Sequence, residues 1–326
     1  MDKFVFGILT YNQENYVLET LESIKFQKEQ YGKEVDVSLI IADDASKDRT
    51  VDVIRKWTDE NRAYFDKIDL ITNEKNQGTV KNFLTILEKA GKQNFKIIAG
   101  DDLIGCKNLF EEYKDLNDKK LKSYCRIEIC DGEAYYREKY LINLYYHKVY
   151  GKGYHYRLKN FRKGKYLHTP STLYNKELFD NAGCEANLEG YRLFEDDPMW
   201  YSMLKNVEDL EVEFKEQGIV LYRMHNHSVS NSPNPIFQGD MKRLREHFLE
   251  DTKGIEKLYL LIRMYTSKWP FYINPGIYLD KLINMKREKI CRRDPGYQAF
   301  KEKIEKQIKE EQAFYEAIKR EINAGN

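Results

Sequence analysis

No stretch of this 326-residue sequence approaches the roughly 18 consecutive apolar residues that a membrane-spanning helix requires. Residues 1–9 enter a strand-like apolar pattern at once, with no basic leader or cleavage site ahead of it. We therefore expect a protein that is neither secreted nor integral to a membrane, and that works in the cytoplasm.

Net charge is nearly absent, since 54 Lys and Arg residues oppose 53 Asp and Glu and leave a formal charge of +1. That balance provides no global field and argues against nucleic acid as a partner. Paired cysteines are also lacking: the five cysteines are odd in number and include no C-x2-C spacing typical of zinc sites. This pattern fits free thiols in a reducing cytosol.

The sequence does contain an alternation of apolar strands and amphipathic helices near its start. Strand-like runs occupy 4–9, 37–42, 68–71 and 95–99. Between them, Val17, Leu21 and Ile24 recur at helical spacing, and so do apolar residues at 80, 83, 84 and 87. This order predicts an α/β fold with a Rossmann-like, mainly parallel sheet flanked by helices, whose ligands bind beyond the carboxyl ends of the strands.

Polar residues follow three of these strands, at 10–14, 43–48 and 100–102. The carboxylates of Asp101 and Asp102 could hold a divalent cation bridging a diphosphate, or Asp102 could cap a helix starting near residue 107. Asp44 could accept a hydrogen bond from a nucleobase or cap the next helix. Tyr11 could stack on that base or belong to the core. The residues by themselves leave these alternatives open.

Four motifs occur in order over the first ~105 residues: LTYNQENYVLETLESI at 9–24, IIADDASKDRT at 40–50, Asn76-Gln77-Gly78, and Gly100-Asp101-Asp102. Together they closely resemble family 2 glycosyltransferases of the GT-A fold. The resemblance implies inverting transfer of a sugar from a nucleotide-diphosphate donor. It also implies a DxD-type motif, here shortened to Gly100-Asp101-Asp102, that holds Mn²⁺ or Mg²⁺.

The same resemblance assigns residues to the nucleotide of the donor. Tyr11 and Asp44 would hold the base, with Thr10 and Glu14 close to the nucleotide. A carboxylate facing a ring N–H, together with a stacked aromatic ring, suits a pyrimidine. We therefore expect a UDP-sugar.

Residues for the diphosphate and the metal are implied in the same way. Lys81 stands where relatives often have an Arg before Asn, which places it near the diphosphate. Asp102 would bind the metal with Asp101 in support. Tyr222-Arg223-Met224-His225 resembles a Tyr-Arg-x-His segment of the family, so His225 would be a third metal ligand or a diphosphate contact. A structural role for this histidine is the alternative.

A second acidic cluster, Glu195-Asp196-Asp197, resembles the Glu-Asp motif that supplies the family's general base, and we assign the base to Asp196. Inversion needs one carboxylate to deprotonate the attacking hydroxyl. The register within the three acids stays open. A helix N-terminus before Pro198 is a second interpretation, compatible with the first.

Prolines at 233 and 235 predict a boundary near 236. We expect a GT-A domain over 1–235, with a nucleotide-sugar half at about 1–105 and an acceptor half at about 106–235. The stretch 125–192 is irregular and predicts mixed strand and loop. Residues 236–326 predict a helical extension.

That extension carries 19 Lys and Arg against 14 Asp and Glu. Its basic cluster at 281–293, which follows aromatics at 269–273, suits either an anionic lipid surface or an ordinary solvated helix face. The apolar residues of the final helix could pack on the domain or on a second copy, giving a homodimer.

Two hypotheses for function follow. The first is a hexosyl- or N-acetylhexosaminyl-transferase of surface polysaccharide synthesis, with a glycan or lipid-linked glycan acceptor, peripheral on the inner face of the membrane. The second is a catalytically silent GT-A domain that binds a nucleotide-sugar or a partner. The presence of Asp101, Asp102, Asp196 and His225 together favours catalysis.

Overall fold

The computed structural model describes residues 2–151, 153–164, 167–225, 234–267 and 269–325. Its main sheet has four parallel strands in the order β3-β2-β1-β4. The strands are β1 (Asp2–Thr10), β2 (Val35–Asp43), β3 (Lys67–Thr72) and β4 (Asn94–Ala99). These bounds enclose the four predicted strands, and the expected parallel α/β sheet is confirmed.

Helices cover both faces of this sheet: α1 (Val17–Tyr31), α2 (Thr50–Asn61) and α3 (Thr79–Ala90). Side chains alternate along β1, so that Phe4 and Phe6 enter the core beneath α1 and α2, whereas Val5 enters the core beneath α3. A Cβ at Gly7 would lie 2.4 Å from Cγ2 of Ile86. The glycine therefore lets α3 pack directly on the backbone of β1.

Two smaller sheets lie beyond β4, with strand orders β10-β6-β9 and β5-β11-β7-β8. Their strands are β5 (Leu103–Ile104), β6 (Lys120–Ser123), β7 (Ile127–Cys130), β8 (Glu133–Tyr135), β9 (Thr172–Leu173), β10 (Glu211–Phe214) and β11 (Val220–Arg223). The helices are α4 (Glu138–Tyr150), α5 (Tyr154–Lys163), α6 (Lys176–Asn181), α7 (Cys184–Leu188) and α8 (Asp196–Asn206).

The prediction of mixed strand and loop over 125–192 is wrong for much of that stretch, which forms α4, α5, α6 and α7 around three short strands. In α4, the adjacent residues Leu141 and Ile142 are both buried, and so are Leu144 and Tyr145. A helix buried over such a broad arc lacks the narrow apolar stripe by which an amphipathic helix is recognised.

The C-terminal region is helical, as expected: α9 (Pro235–Glu250), α10 (Gly254–Tyr265), α11 (Pro275–Arg293) and α12 (Pro295–Gly325). Among the described residues, no helix is both long and apolar enough to cross a bilayer. The position of the domain boundary near 236 stays a prediction, and Pro233 lies outside the described residues.

The last helix, α12, packs against the region formed by residues 1–235. Gln307 hydrogen-bonds both the N–H and the C=O of Gly218, at 2.9 and 2.8 Å. The buried carboxylate of Glu311 accepts a hydrogen bond from Cys106 N at 3.0 Å. Lys319 Nζ lies 2.9 Å from Glu19 Oε1, on α1. Of the two alternatives for this helix, packing on its own domain is therefore the one observed.

Candidate active site

A cavity of about 1130 Å³ opens at the carboxyl ends of β1, β2 and β4. This is the edge where ligands of parallel sheets bind. Seven of the nine predicted site residues line it: Thr10, Tyr11, Asp44, Asp101, Asp102, Asp196 and His225. The other two, Glu14 and Lys81, lie outside its lining. Glu14 instead accepts hydrogen bonds from Arg49, at 2.9 Å from the backbone N and 3.2 Å from Nε, and Lys81 is exposed on α3.

Asp44 holds the turn that follows β3. Its carboxylate accepts hydrogen bonds from the backbone N–H groups of Gln77 (2.7 Å) and Gly78 (2.9 Å), and from the side chain of Asn73 (3.2 Å). The alternative that Asp44 caps the next helix is wrong, because α2 begins at Thr50 without a side-chain cap. Asp44 thus ties the Asn76-Gln77-Gly78 motif to the sheet.

Tyr11 is 47% exposed and lines the cavity, so the alternative that it belongs to the core is wrong. The neighbouring Thr10 is buried, and its hydroxyl donates to Asp43 Oδ2 at 3.0 Å. Asp43 also accepts from Ser46 N at 2.9 Å. These bonds fix the backbone on which Tyr11 is displayed.

Asp101 and Asp102 face different partners. Asp102 is 1% exposed, and its Oδ1 accepts a hydrogen bond from Arg223 N, on β11, at 2.8 Å. Asp101 Oδ2 lies 2.7 Å from Nε2 of His225. Burial, and then repulsion from Asp101, raise the pKa of the Asp102 carboxyl well above its usual range. The helix-cap alternative for Asp102 is wrong, since only a 3₁₀ turn at Phe110–Tyr113 follows.

The Arg223 side chain supports this acidic pair from behind. Its Nε donates to the backbone oxygen of Asp101 at 2.7 Å, and its guanidinium pairs with Glu19. The His225 ring stacks on Tyr16, with ring centroids 5.1 Å apart. Strand β11 and helix α1 therefore both contribute to the position of Asp101, although they are about 200 residues apart in the chain.

Asp196 lines the cavity as the first residue of α8, far along the chain from the strands of the main sheet. Glu195 and Asp197 line the same cavity, so the register among the three acids stays a prediction. Within the described residues, the Asp196 carboxylate forms no hydrogen bond or ion pair. Pro198 lies in the first turn of α8, so the helix-start interpretation holds as well.

A sequence model of the family described as "Glycosyl transferase family 2" matches residues 6–183, more than half of the chain. The chain belongs to glycosyltransferase family 2. Its predicted GT-A architecture is confirmed by solved structures of S. aureus TarS 1–349. The complex with UDP-GlcNAc has a TM-score of 0.54 at 14% identity, and the complex with UDP has 0.51 at 15%. Each alignment covers 99% of this chain and 92% of that one.

At such identity the likeness to TarS is one of fold alone. A longer TarS structure is also similar, and its alignment covers 82% of this chain. The present chain therefore spans less than half, 44%, of the length of that TarS chain. No curated protein sequence matches the chain.

Family 2 enzymes of the GT-A fold often use a divalent metal, and two features of this family 2 glycosyltransferase fit one. Oδ2 of Asp102 is buried and has no hydrogen-bond partner among the described residues. Asp101 supplies a second hard oxygen donor beside it. No group of three metal-ligating side chains is preassembled in the described part of the chain. Mg²⁺ characteristically uses one or two carboxylates together with substrate phosphates, so such a set suffices.

Sequence reasoning missed Lys96, which lines the cavity from β4. It is 3% exposed, and its Nζ donates to the carbonyl oxygens of Pro170 (2.7 Å), Thr172 (3.3 Å) and Thr169 (3.4 Å). Burial lowers the pKa of the Lys96 ammonium to about 7, against the attraction of Asp102 and Asp196. The signal was a lysine within the apolar run 95–99, where a strand buried on both faces has no use for a charge.

Lys96→Met should reduce the free energy of unfolding by about 1–3 kcal/mol, because it leaves buried carbonyl oxygens without a donor. Urea denaturation of the variant and the wild type measures the change. Lys92→Met is the matched control, since Lys92 is exposed just before the same strand and its replacement should change stability by less than about 0.5 kcal/mol. Equal midpoints for Lys96→Met and the wild type would remove Lys96 from this role.

Proposed function

We propose that this family 2 glycosyltransferase is an inverting enzyme that moves a hexose or N-acetylhexosamine from a UDP donor to a glycan or lipid-linked glycan acceptor. The product would belong to a surface polysaccharide, made on the cytoplasmic face of the membrane. One observation carries the proposal: Tyr11, Asp101, Asp102 and Asp196 line a single cavity although they come from distant parts of the chain.

The base of the donor would lie on the exposed ring of Tyr11. An ionised carboxylate offers about four lone-pair sites, and three hydrogen bonds already reach Asp44 from the turn beside it. One site remains for a ring N–H such as that of uracil. The TarS structures of the same fold are complexes with UDP-GlcNAc and with UDP, which supports a uridine donor here.

The transfer step needs one base. Asp196 would take the proton from the acceptor hydroxyl as its oxygen attacks the anomeric carbon from the face opposite the leaving diphosphate, which inverts that centre. Asp101 and Asp102, with His225 beside them, would hold a divalent metal. When bound, that metal would neutralise the negative charge that develops on the leaving diphosphate. Lys96 would keep the acceptor-side segment 169–172 against β4 during this step.

The alternative function is a catalytically silent domain that only binds a nucleotide-sugar or a partner. Such a domain, unlike an enzyme, does not require Asp196. A binding module gains nothing from a half-buried carboxylate at the start of α8 that has no hydrogen-bond partner among the described residues, whereas a base must be available to a substrate proton. Release of free sugar from a UDP-sugar, or its transfer to an added acceptor, separates the two. A purified protein that binds UDP tightly but turns over no UDP-sugar would favour the rival.

UDP should stabilise the wild type against heat, by about 2.7 kcal/mol at a hundred times its dissociation constant. GDP should give a smaller shift, because guanine presents two adjacent N–H donors and the single remaining acceptor site at Asp44 can satisfy only one of them. Melting curves with each nucleotide measure both effects.

Tyr11→Ala should reduce the UDP-dependent shift without changing the melting temperature of the free protein, because the ring is half exposed. Tyr64→Ala, which removes an exposed tyrosine that does not line the cavity, is its control. Equal protection by UDP and GDP, or an unchanged UDP shift in Tyr11→Ala, would count against uridine recognition here.

A further inference from the structure

The exposed apolar side chains of this protein are concentrated on one helical hairpin, α10 to α11. Of the 14 large hydrophobic side chains that are exposed among the described residues, nine lie between positions 255 and 285. Scattered single residues of this kind are ordinary on a protein surface, but a concentration of them marks an interaction site.

Five of these residues form one surface, here called the hairpin tip: Tyr265, Trp269, Tyr272, Ile273 and Tyr278. The end of α10 and the start of α11 are tied together by buried hydrogen bonds between Thr266 and Asn274, at 2.9 Å from Thr266 Oγ1 to Asn274 Oδ1. Tyr278 also donates to the backbone oxygen of Tyr272, at 2.9 Å. The tip is therefore a built structure.

The apolar surface continues along the outer side of α11. Tyr278, Leu282 and Met285 are exposed at i, i+4 and i+7, which places them on one face of the helix. Arg287 and Cys291 are buried on the opposite face, toward the protein. The helix therefore exposes to solvent an apolar stripe, whereas a surface helix normally buries such a stripe against the core.

Basic residues flank this apolar surface. Residues 254–293 include nine Lys and Arg but three Asp and Glu, a net charge of +6. Lys281, Lys286 and Lys289 are exposed beside the stripe on α11. Two copies meeting through this face would bring like charges together, whereas an anionic surface would be attracted to it.

We propose that the hairpin tip and the α11 stripe bind the interface of an anionic lipid bilayer. Tyrosine and tryptophan favour that interface, because their rings are apolar while the OH and N–H groups remain hydrated. The lysines beside them would attract the lipid headgroups. The proposal deepens the membrane-face location in the proposed function, but it does not depend on the sugar-transfer chemistry.

The tryptophans provide a direct test. Trp57 and Trp200 are 3% and 0% exposed, whereas Trp269 is 51% exposed at the tip. Vesicles of phosphatidylglycerol and phosphatidylcholine should therefore shift the emission of Trp269 to shorter wavelength, and Trp269→Phe should abolish the shift while the protein still co-sediments. Vesicles of phosphatidylcholine alone, or high salt, should weaken binding because the attraction is partly electrostatic.

Two variants separate the electrostatic contribution to membrane binding from the contribution of the aromatic side chains. Replacing Lys281, Lys286 and Lys289 with Gln should weaken binding to anionic vesicles by roughly fivefold for each lysine. Trp269→Ser with Tyr272→Ser should weaken it about tenfold or more. The control is Tyr31→Ser with Tyr64→Ser, two exposed tyrosines outside the hairpin, which should bind as the wild type does.

No binding to anionic vesicles at low salt would overturn the proposal. It would also be overturned if sedimentation equilibrium showed a dimer that Trp269→Ser with Tyr272→Ser dissociates, because a second copy would then occupy the surface. The UDP-dependent melting shift should be the same in the hairpin variants as in the wild type, since the hairpin does not line the cavity. Loss of vesicle binding and loss of donor recognition are thus distinguished.

Discussion

Asp196→Asn should lower the rate of sugar transfer by about 10²–10⁴-fold while leaving UDP binding intact. The amide has nearly the shape of the carboxylate but cannot take the proton of the acceptor hydroxyl at neutral pH. Because Asp196 forms no hydrogen bond or ion pair within the described residues, its replacement breaks no such contact there. Initial rates of transfer, together with the UDP-dependent melting shift, measure the two effects separately.

Glu195→Gln and Asp197→Asn are the matched controls for this experiment, since both carboxylates line the same cavity. If Asp196→Asn kept the wild-type rate and one neighbour lost it, the base would be that neighbour. If Asp196→Asn lost UDP binding instead, Asp196 would belong with the nucleotide.

Asp102→Asn should lower transfer by about 10³-fold or more, because a metal at this position would contribute several kcal/mol to the stability of the transition state. The amide oxygen can still accept the hydrogen bond from Arg223 N, so the backbone contact to β11 is preserved. The amide nitrogen, however, replaces the buried Oδ2, which has no hydrogen-bond partner in the described part of the chain. The negative charge that a cation would require is therefore lost with little change in shape.

A second measurement tests the metal without relying on activity. Mn²⁺ with UDP should raise the melting temperature of the wild type more than UDP alone, and Asp102→Asn should abolish that extra rise. Asp69→Asn is the control, since Asp69 lies on β3 outside the cavity and pairs with Lys67. A wild-type response to Mn²⁺ in Asp102→Asn would assign the metal to other ligands.

The sequence was sufficient to predict the main parallel sheet because its strands are short apolar runs, three of which end in polar residues. Parallel topology then brings Tyr11, Asp44 and Asp101 to one edge with no further information. The sequence could not decide whether Tyr11 belongs to the core or whether Asp102 caps a helix. The structure excludes both of these alternatives. Whether a ring is exposed depends on what packs around it.

What the sequence could not predict depends on contacts between distant residues. The pairing of Arg223 with Glu19 joins β11 to α1, and His225 reaches Asp101 across 124 positions. Lys96 is a different case, since its ammonium is satisfied by three backbone carbonyl groups, which have no sequence signature. Helix α4 was missed because burial on a broad arc obscures helical periodicity.

The placement of α12 has a consequence for the order in which the site is built during synthesis. Every residue that lines the cavity lies between positions 9 and 237, so a ribosome has made all of them well before it begins α12. Lys319, in the last turns of that helix, nevertheless pairs with Glu19 behind the acidic pair. Glu311 and Gln307 of the same helix hydrogen-bond the backbone of Cys106 and of Gly218. The emerging chain thus carries a complete set of cavity residues without the support behind them. The contacts that α12 makes behind the site can form only after that helix has been synthesised and has folded back.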